Sequence, residues 1–178
     1  MFSSNVMCLF IGGHTTEMLM LLQKIPWLQF GPLHCVLAQT DHTSKAKVES
    51  SKIAVLEGCK WHTISRSREV KQSWLTTVFT TLLSTVEAFS LLLRIRPQLI
   101  LCNGPGTCVP LCYVAFIYKL CGLLDTDIVF IESFCRVQKL SLTGRLLYYI
   151  SDKFIVQWPE LLGQYSRAEY LGDYKIVN

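Results

Sequence analysis

At 178 residues, with a net charge of +4 and hydrophobic residues at 51%, the chain has the length for one domain with a substantial core and is short for two. Charged residues make up 17%, below the roughly 25% of ordinary soluble domains, so apolar surface is expected to remain after the core is filled, to be covered by a bilayer, a partner chain or both. The basic residues are scattered rather than gathered into an arm or stripe, which argues against a nucleic-acid partner.

The first five residues run directly into a short apolar segment, without the basic region and long apolar core of a signal peptide, and too short to span a membrane. Residues 6–11 form a continuous apolar run closed by Gly12 and Gly13, the pattern of a buried parallel strand feeding a glycine turn. Thr15 or Thr16 then caps a helix that runs through Lys24, with Met18, Leu19, Leu21 and Leu22 at helical spacing and Pro26 beyond its end. Strands follow at 34–39, which ends in the polar cluster 40–44, and at 61–65. Residues 72–93 carry one charge, Glu87, and predict a helix of about 33 Å. That glutamate and the hydroxyls of Thr76, Thr77, Thr80, Thr81, Ser84 and Thr85 make a membrane-spanning role expensive. The segment reads as a helix half buried in the domain and half in a membrane surface, or alternatively as one fully buried between layers.

A strand at 99–102 leads through Asn103-Gly104-Pro105-Gly106-Thr107 into an apolar helix that reaches Cys121. A strand at 127–131, a helix at 141–150, a strand at 154–158 and a helix starting at Pro159 complete the pattern. Strands alternating with helices define an α/β domain with a doubly wound parallel sheet, Rossmann-like, occupying residues 1–178 as a single unit. Cys8, Cys35, Cys102, Cys112 and Cys135 lie in apolar runs and are expected to act as small core hydrophobes in a reducing compartment. Their spacing lacks the paired cysteines and histidines of a zinc site, so no metal and no cofactor is expected.

In such sheets ligands bind beyond the carboxyl ends of the strands, and three loops there carry usable chemistry. Gly12 and Gly13 let a backbone approach a ligand closely, and the helix that follows directs amide donors at an anion such as a diphosphate. His14 is placed to act as general base or phosphate donor, whereas Glu17 reads as a favourable charge in a first helical turn. The glycine pair also fits a plain tight turn, since dinucleotide spacing is missing. Asn103, Gly104, Gly106 and Thr107 repeat the arrangement after a second strand, with Thr107 as cap, although a rigid strand-to-helix connection has the same composition. In the third loop Glu132 offers a carboxylate to a sugar hydroxyl and Arg136 a guanidinium to a phosphate, unless the two pair with each other. The run 65–71, with Arg66, Arg68 and Lys71, would lie near lipid headgroups if the long helix is interfacial; a solvated loop is its ordinary meaning.

Four segments, 12–17 (GGHTTE), 67–74 (SREVKQSW), 101–110 (LCNGPGTCVP) and 154–159 (FIVQWP), closely resemble the membrane-anchoring, acceptor-side subunit of the eukaryotic UDP-N-acetylglucosamine transferase complex of dolichol-linked oligosaccharide synthesis. The resemblance runs in order over nearly the whole chain, and its Gly-Gly-His string is shared with bacterial transferases acting on lipid-linked peptidoglycan precursors. It implies the N-terminal half of a GT-B glycosyltransferase on the cytosolic face of the endoplasmic reticulum membrane. That half would bind N-acetylglucosaminyl-diphosphodolichol and recruit a separate subunit that binds UDP-N-acetylglucosamine. The reaction would add the second N-acetylglucosamine of the N-glycan precursor by an inverting, metal-free transfer, and the chain alone would be inactive. His14 and Glu132 then take catalytic or acceptor-positioning roles, with Gly12, Gly13, Thr15, Asn103, Gly104, Gly106, Thr107 and Arg136 around the acceptor diphosphate. Tyr170, Leu171 and Gly172 fall where the family docks its partner. Family members usually carry an N-terminal membrane helix and a small or glycine pair before Gly-Gly-His, where this sequence has Phe10 and Ile11. A bulkier first loop leaves a second reading, a non-catalytic recruiting scaffold or degenerate copy, and a self-contained nucleotide-sugar enzyme would require a second domain.

Overall fold

Strands form where apolar runs are too short for a helix and must be buried on both faces, and the chain contains several. The computed structural model describes residues 7–11, 15–23, 33–51, 53, 58–67, 74–104, 106–170 and 172. Within them the order is β1 (Met7–Ile11), α1 (Thr15–Leu22), β2 (Leu33–Ala38), α2 (His42–Ser50), β3 (Lys60–Ile64), α3 (Trp74–Ile95), β4 (Leu99–Asn103), α4 (Cys108–Leu120), β5 (Asp127–Ile131), α5 (Leu142–Leu147), β6 (Lys153–Val156) and β7 (Ala168–Tyr170). The strands make one parallel seven-stranded sheet in the order β3-β2-β1-β4-β5-β6-β7. The order turns back between β1 and β4, so the loops after these two strands flank the crevice where doubly wound sheets bind ligands.

Alternate residues of the central strands serve two cores. Cys35, Leu37, Leu101 and Ile131 pack with Met18, Leu22 and Val48 of α1 and α2. Val36, Ile100, Cys102, Ile128 and Phe130 pack with Ala88 and Leu92 of α3, Leu111 and Val114 of α4 and Leu147 of α5. Two helical layers therefore cover one sheet, as the alternating pattern requires.

The 22-residue α3 buries Ser84, Ala88, Leu92 and Ile95, while Val78, Phe79, Leu82, Leu83 and Val86 on its other side are exposed, Phe79 by 70%. This excludes full burial between layers. The helix is long and apolar enough to cross a membrane over Thr76–Ile95, but its one carboxylate is held by the domain: Ser65 donates to Glu87 through both its amide and its hydroxyl. Thr80 and Thr81 likewise donate to the Ser67 carbonyl. Glu87, Thr80, Thr81 and Ser84, polar residues that would tax a lipid-facing helix, thus fasten it to Ser65 and Ser67 just beyond β3.

Several elements depart from the sequence reading. Residues 42–50 form a helix rather than part of a loop, because Asp41 caps it by accepting from the Ser44 amide at 3.0 Å; only Ser44 and Val48 are buried, so the helix lacks an apolar stripe. Pro159 opens a single 3-10 turn (Pro159–Leu161) and not an α-helix. Thr107 stands at the N-cap of α4 but makes no side-chain cap bond, its backbone being already helical at φ −70° and ψ −18°. Cys135 is exposed, not a core residue, whereas Cys35, Cys102, Cys108 and Cys112 are buried. Lys24 and Cys8 fall where no side chain is described.

His34 of β2 and His62 of β3 stack with ring centroids 5.0 Å apart, and Nδ1 of the first lies 2.8 Å from Nε2 of the second. Burial, foremost, then the neighbouring imidazole and Lys60, lower the pKa of His34; burial, then Arg94 and Lys60, lower that of His62. The folded pair therefore binds protons less readily than the unfolded chain, so stability is complete above the ordinary value of 6.5 and declines as pH falls below it. Urea denaturation compared between about pH 7.5 and about pH 5.5 is expected to show this loss, with a shallower slope in His62→Gln.

Candidate functional site at the carboxyl edge of the sheet

Gly12, Gly13 and His14 lie outside the described residues, as does Leu171. The other site candidates divide into those that meet at the carboxyl edge beside β1 and β4 and those that do not.

At the centre is Glu17, in the first turn of α1. Its Oε2 accepts from the side-chain amide of Asn103 at the end of β4 (3.3 Å) and from the backbone amide of Phe134 beyond β5 (3.2 Å), and its Oε1 accepts from the hydroxyl of Ser133 (3.1 Å). One carboxylate therefore ties the first helix to two strand-end loops. The sequence reading assigned Glu17 only to the helix dipole; its partners are separated from it by 86 to 117 positions, a distance over which no local pattern operates.

Glu132 is fully buried. Its Oε1 accepts from the Ser133 amide at 2.9 Å, and its Oε2 accepts from the amide and hydroxyl of Ser141 at 2.9 and 3.0 Å. Ser141 in turn caps α5 by accepting from the Gly144 amide at 2.9 Å. Charge-assisted bonds of this kind are what allow a carboxylate to be buried, and here they close the loop 132–141 onto the start of α5. Glu132 is not paired with Arg136, which is exposed on the same loop.

Gln157 and Trp158 complete the edge from β6. The Gln157 side-chain amide donates to the Glu132 carbonyl at 2.9 Å, the Trp158 indole donates to the Phe134 carbonyl at 2.6 Å, and the Phe134 and Trp158 rings lie 4.9 Å apart. These two residues belong to one of the four segments that carried the family resemblance, and their work is to hold the β5 loop.

Gly104 adopts φ 73°, a conformation that favours glycine, and turns the chain from β4 toward α4. Gly106 is exposed and faces Thr143 of α5 across a gap that would admit a side-chain methyl group, so the β4 loop and the start of α5 are neighbours. Thr15 points elsewhere: its hydroxyl lies 2.6 Å from that of Ser44, which donates to Asp41, linking α1 to the cap of α2. Tyr170 and Gly172 lie at the far edge on and beyond β7, where a Cβ on Gly172 would overlap the Tyr170 ring.

Behind the β4 loop three buried thiols gather at the start of α4. Cys102 and Cys112 sulfurs are 3.5 Å apart, and hydrogen bonding to Cys108 and Cys112, followed by burial, holds the Cys102 thiol well above its ordinary pKa. Among the described residues no group of three or more His, Cys, Asp and Glu side chains is arranged to hold a metal ion.

This architecture is shared with larger proteins of known structure. The chain superposes on MurG of Acinetobacter baumannii with a TM-score of 0.62 at 13% identity, covering 86% of this chain and 41% of that one. For a UDP-N-acetylglucosamine 2-epimerase the TM-score is 0.65 at 12% identity, with 89% and 43% covered. The chain spans less than half of each of these proteins, and the class it defines is one half of a GT-B-type fold. Residues 6–174 match the family model described as "Oligosaccharide biosynthesis protein Alg14 like". Rat and human UDP-N-acetylglucosamine transferase subunit ALG14 are each 46% identical over 169 residues, covering 90% of this chain and 78% of theirs. The Saccharomyces cerevisiae subunit of that name is 37% identical over 175 residues, covering 90% and 72%. The chain belongs to the Alg14 family.

The geometry around Glu132 has a direct consequence. Both oxygens face backbone N–H donors, so Glu132→Gln must turn an NH2 toward one of them, and the variant is expected to lose about 1–3 kcal/mol of stability by urea denaturation. A Cβ at Gly144 would overlap Glu132 Oε2, so Gly144→Ala is expected to be destabilising as well. A carboxylate standing free in solvent would show neither effect.

Proposed function

We propose that this chain is the acceptor-side subunit of a UDP-N-acetylglucosamine transferase complex. In this reading it adds, together with a separate donor-binding subunit, the second N-acetylglucosamine to N-acetylglucosaminyl-diphosphodolichol. The observation that carries the proposal is the coincidence of family and geometry: a member of the Alg14 family whose glycine-bearing loops after β1 and β4 flank the point where the sheet order reverses. Its relatives bear the name of a transferase subunit, and a GT-B fold needs a second half to close the active-site cleft. In this reading the chain is an obligate subunit, inactive alone.

The acceptor diphosphate lies against the loops at 12–13 and 103–107, where the amides at the start of α1 and α4 and the positive ends of those helices favour anionic oxygens. Inverting transfer needs a base for the acceptor hydroxyl, and His14 takes that role. Glu132, with its oxygens occupied by Ser133 and Ser141, serves as the carboxylate that shapes the acceptor loop. Arg136, exposed on that loop, offers a guanidinium to a phosphate oxygen. The exposed apolar side of α3, together with Ile117 and Leu120 of the adjoining α4, rests in the cytosolic leaflet of the endoplasmic reticulum membrane and brings the site to a lipid-linked substrate. The β7 edge with Tyr170 to Gly172 docks the donor subunit.

The test is transfer from UDP-N-acetylglucosamine to a short-chain analogue of the lipid acceptor, with and without the donor subunit. Product only with both chains supports the proposal. His14→Ala should then recruit the partner but not transfer, whereas a recruiting scaffold would tolerate the change. For the membrane face, Phe79→Ser with Leu82→Ser should weaken vesicle binding by about ten-fold or more, since each side chain buried in lipid contributes roughly 1.5–3 kcal/mol. Unchanged vesicle binding would move the membrane contact elsewhere.

A further inference from the structure

Asn103 is 2% exposed, and among the described residues its Oδ1 is a buried side-chain oxygen with no hydrogen-bond partner. A buried acceptor left without a donor destabilises a fold by about 1–3 kcal/mol, and such groups are rare enough in native proteins to require a reason. The orientation of the amide is not arbitrary. Its other end lies 3.3 Å from Glu17 Oε2, and a carboxylate only accepts, so the NH2 must face Glu17 and the oxygen must face away. Glu17 is in turn fixed by the Ser133 hydroxyl and the Phe134 amide.

We infer that Asn103 Oδ1 accepts a hydrogen bond from an N–H or O–H of the acceptor sugar, and that Glu17 is the positioning residue that keeps the oxygen turned toward it. The inference rests on the acceptor-side reading above and refines it. A phosphate oxygen carries no proton to give, and an amide oxygen facing it would be repelled. The Asn103 side chain therefore reads the sugar, while the amides of the neighbouring loop are left to the diphosphate. With so little of Asn103 exposed, the donor that reaches it arrives as the substrate settles at the loop edge and meets little competition from bulk water.

The experiment is steady-state kinetics of the chain with its donor subunit, varying the N-acetylglucosaminyl-diphosphate lipid at saturating UDP-N-acetylglucosamine. A lipid diphosphate lacking the sugar serves as competitive inhibitor. Asn103→Leu is expected to raise the acceptor KM about 3–10-fold, the worth of one hydrogen bond. It should leave the inhibitor constant of the sugar-free lipid and the donor KM unchanged, while urea denaturation registers the loss of the Asn103 donor to Glu17. Glu17→Ala, which frees the amide to turn over, should raise the same KM. Glu17→Gln should restore it, since the glutamine oxygen can keep facing Asn103 and Phe134 while its NH2 donates to the Ser133 hydroxyl. An inhibitor constant that rises in parallel with KM would make Asn103 a diphosphate ligand and overturn the inference, as would an unchanged KM in Asn103→Leu. A wild-type complex that transfers nothing would instead remove the acceptor-side reading itself, and the inference with it.

Discussion

The placement of β4 beside β1 constrains the rest of the molecule. After β1 the chain builds outward through β2 to β3, and it must then return across two strands to pair β4 with the free side of β1. At roughly 4.8 Å per strand that is a lateral step of about 14 Å made over one face of the sheet. The helix that makes it, α3, is accordingly the longest in the chain at 22 residues. Only part of such a helix can touch the sheet. Its inner face is anchored by Ala88, Leu92 and Ile95 and by the bonds of Glu87 to Ser65, and its outer face has no further layer above it among the described residues. The same topological step that creates the ligand crevice between β1 and β4 thus leaves an apolar helix face uncovered.

On the carboxyl edge the constraint is one of polar satisfaction. The start of α1 and the loops after β4, β5 and β6 meet there, and Asn103, Glu132 and Ser133 are buried among them with no sheet partner for their side-chain polar groups. The chain answers with side chains drawn from distant elements: Glu17 from α1, Asn103 from β4, Glu132 and Ser133 from β5, and Gln157 and Trp158 from β6. Each of these bonds is worth little by itself, but in a buried network the loss of one partner leaves another unsatisfied, so the loops behave as a unit. Such cross-linking gives the proposed acceptor site the rigidity that positioning of a reacting hydroxyl demands.

The strands were legible because a parallel sheet covered on both faces writes itself as uninterrupted apolar runs, and 127–131 and 99–103 fell within a residue of where they were expected. α2 was hidden because its stability comes from the Asp41 cap and two buried residues instead of an apolar stripe, and β7 because three residues, Ala-Glu-Tyr, carry no periodicity at all. The loops of the site could be named from sequence, since glycine and proline mark them. What each polar residue does in them could not. Glu17 and Glu132 look alike in a sequence, each an acid beside a strand end or helix start, and only their partners, up to 117 residues away for Glu17, separate a clamp joining three elements from one closing a single loop.

The two constraints converge on the kind of substrate the molecule suits. A soluble nucleotide sugar needs a polar crevice but no apolar helix face, and a lipid needs the face but no stitched polar edge. This chain has both on one domain, with α3 standing between β3 and β4 in the chain and the crevice at the carboxyl ends of β1 and β4. In the proposed reading a molecule with a polar, anionic head and a long apolar tail satisfies both surfaces at once, its head at the strand ends and its tail toward the exposed face of α3. The proposed division of the enzyme into two chains fits the same logic. In that proposal the half that meets lipid keeps the exposed apolar helix, and the half that binds a water-soluble donor can remain free of it.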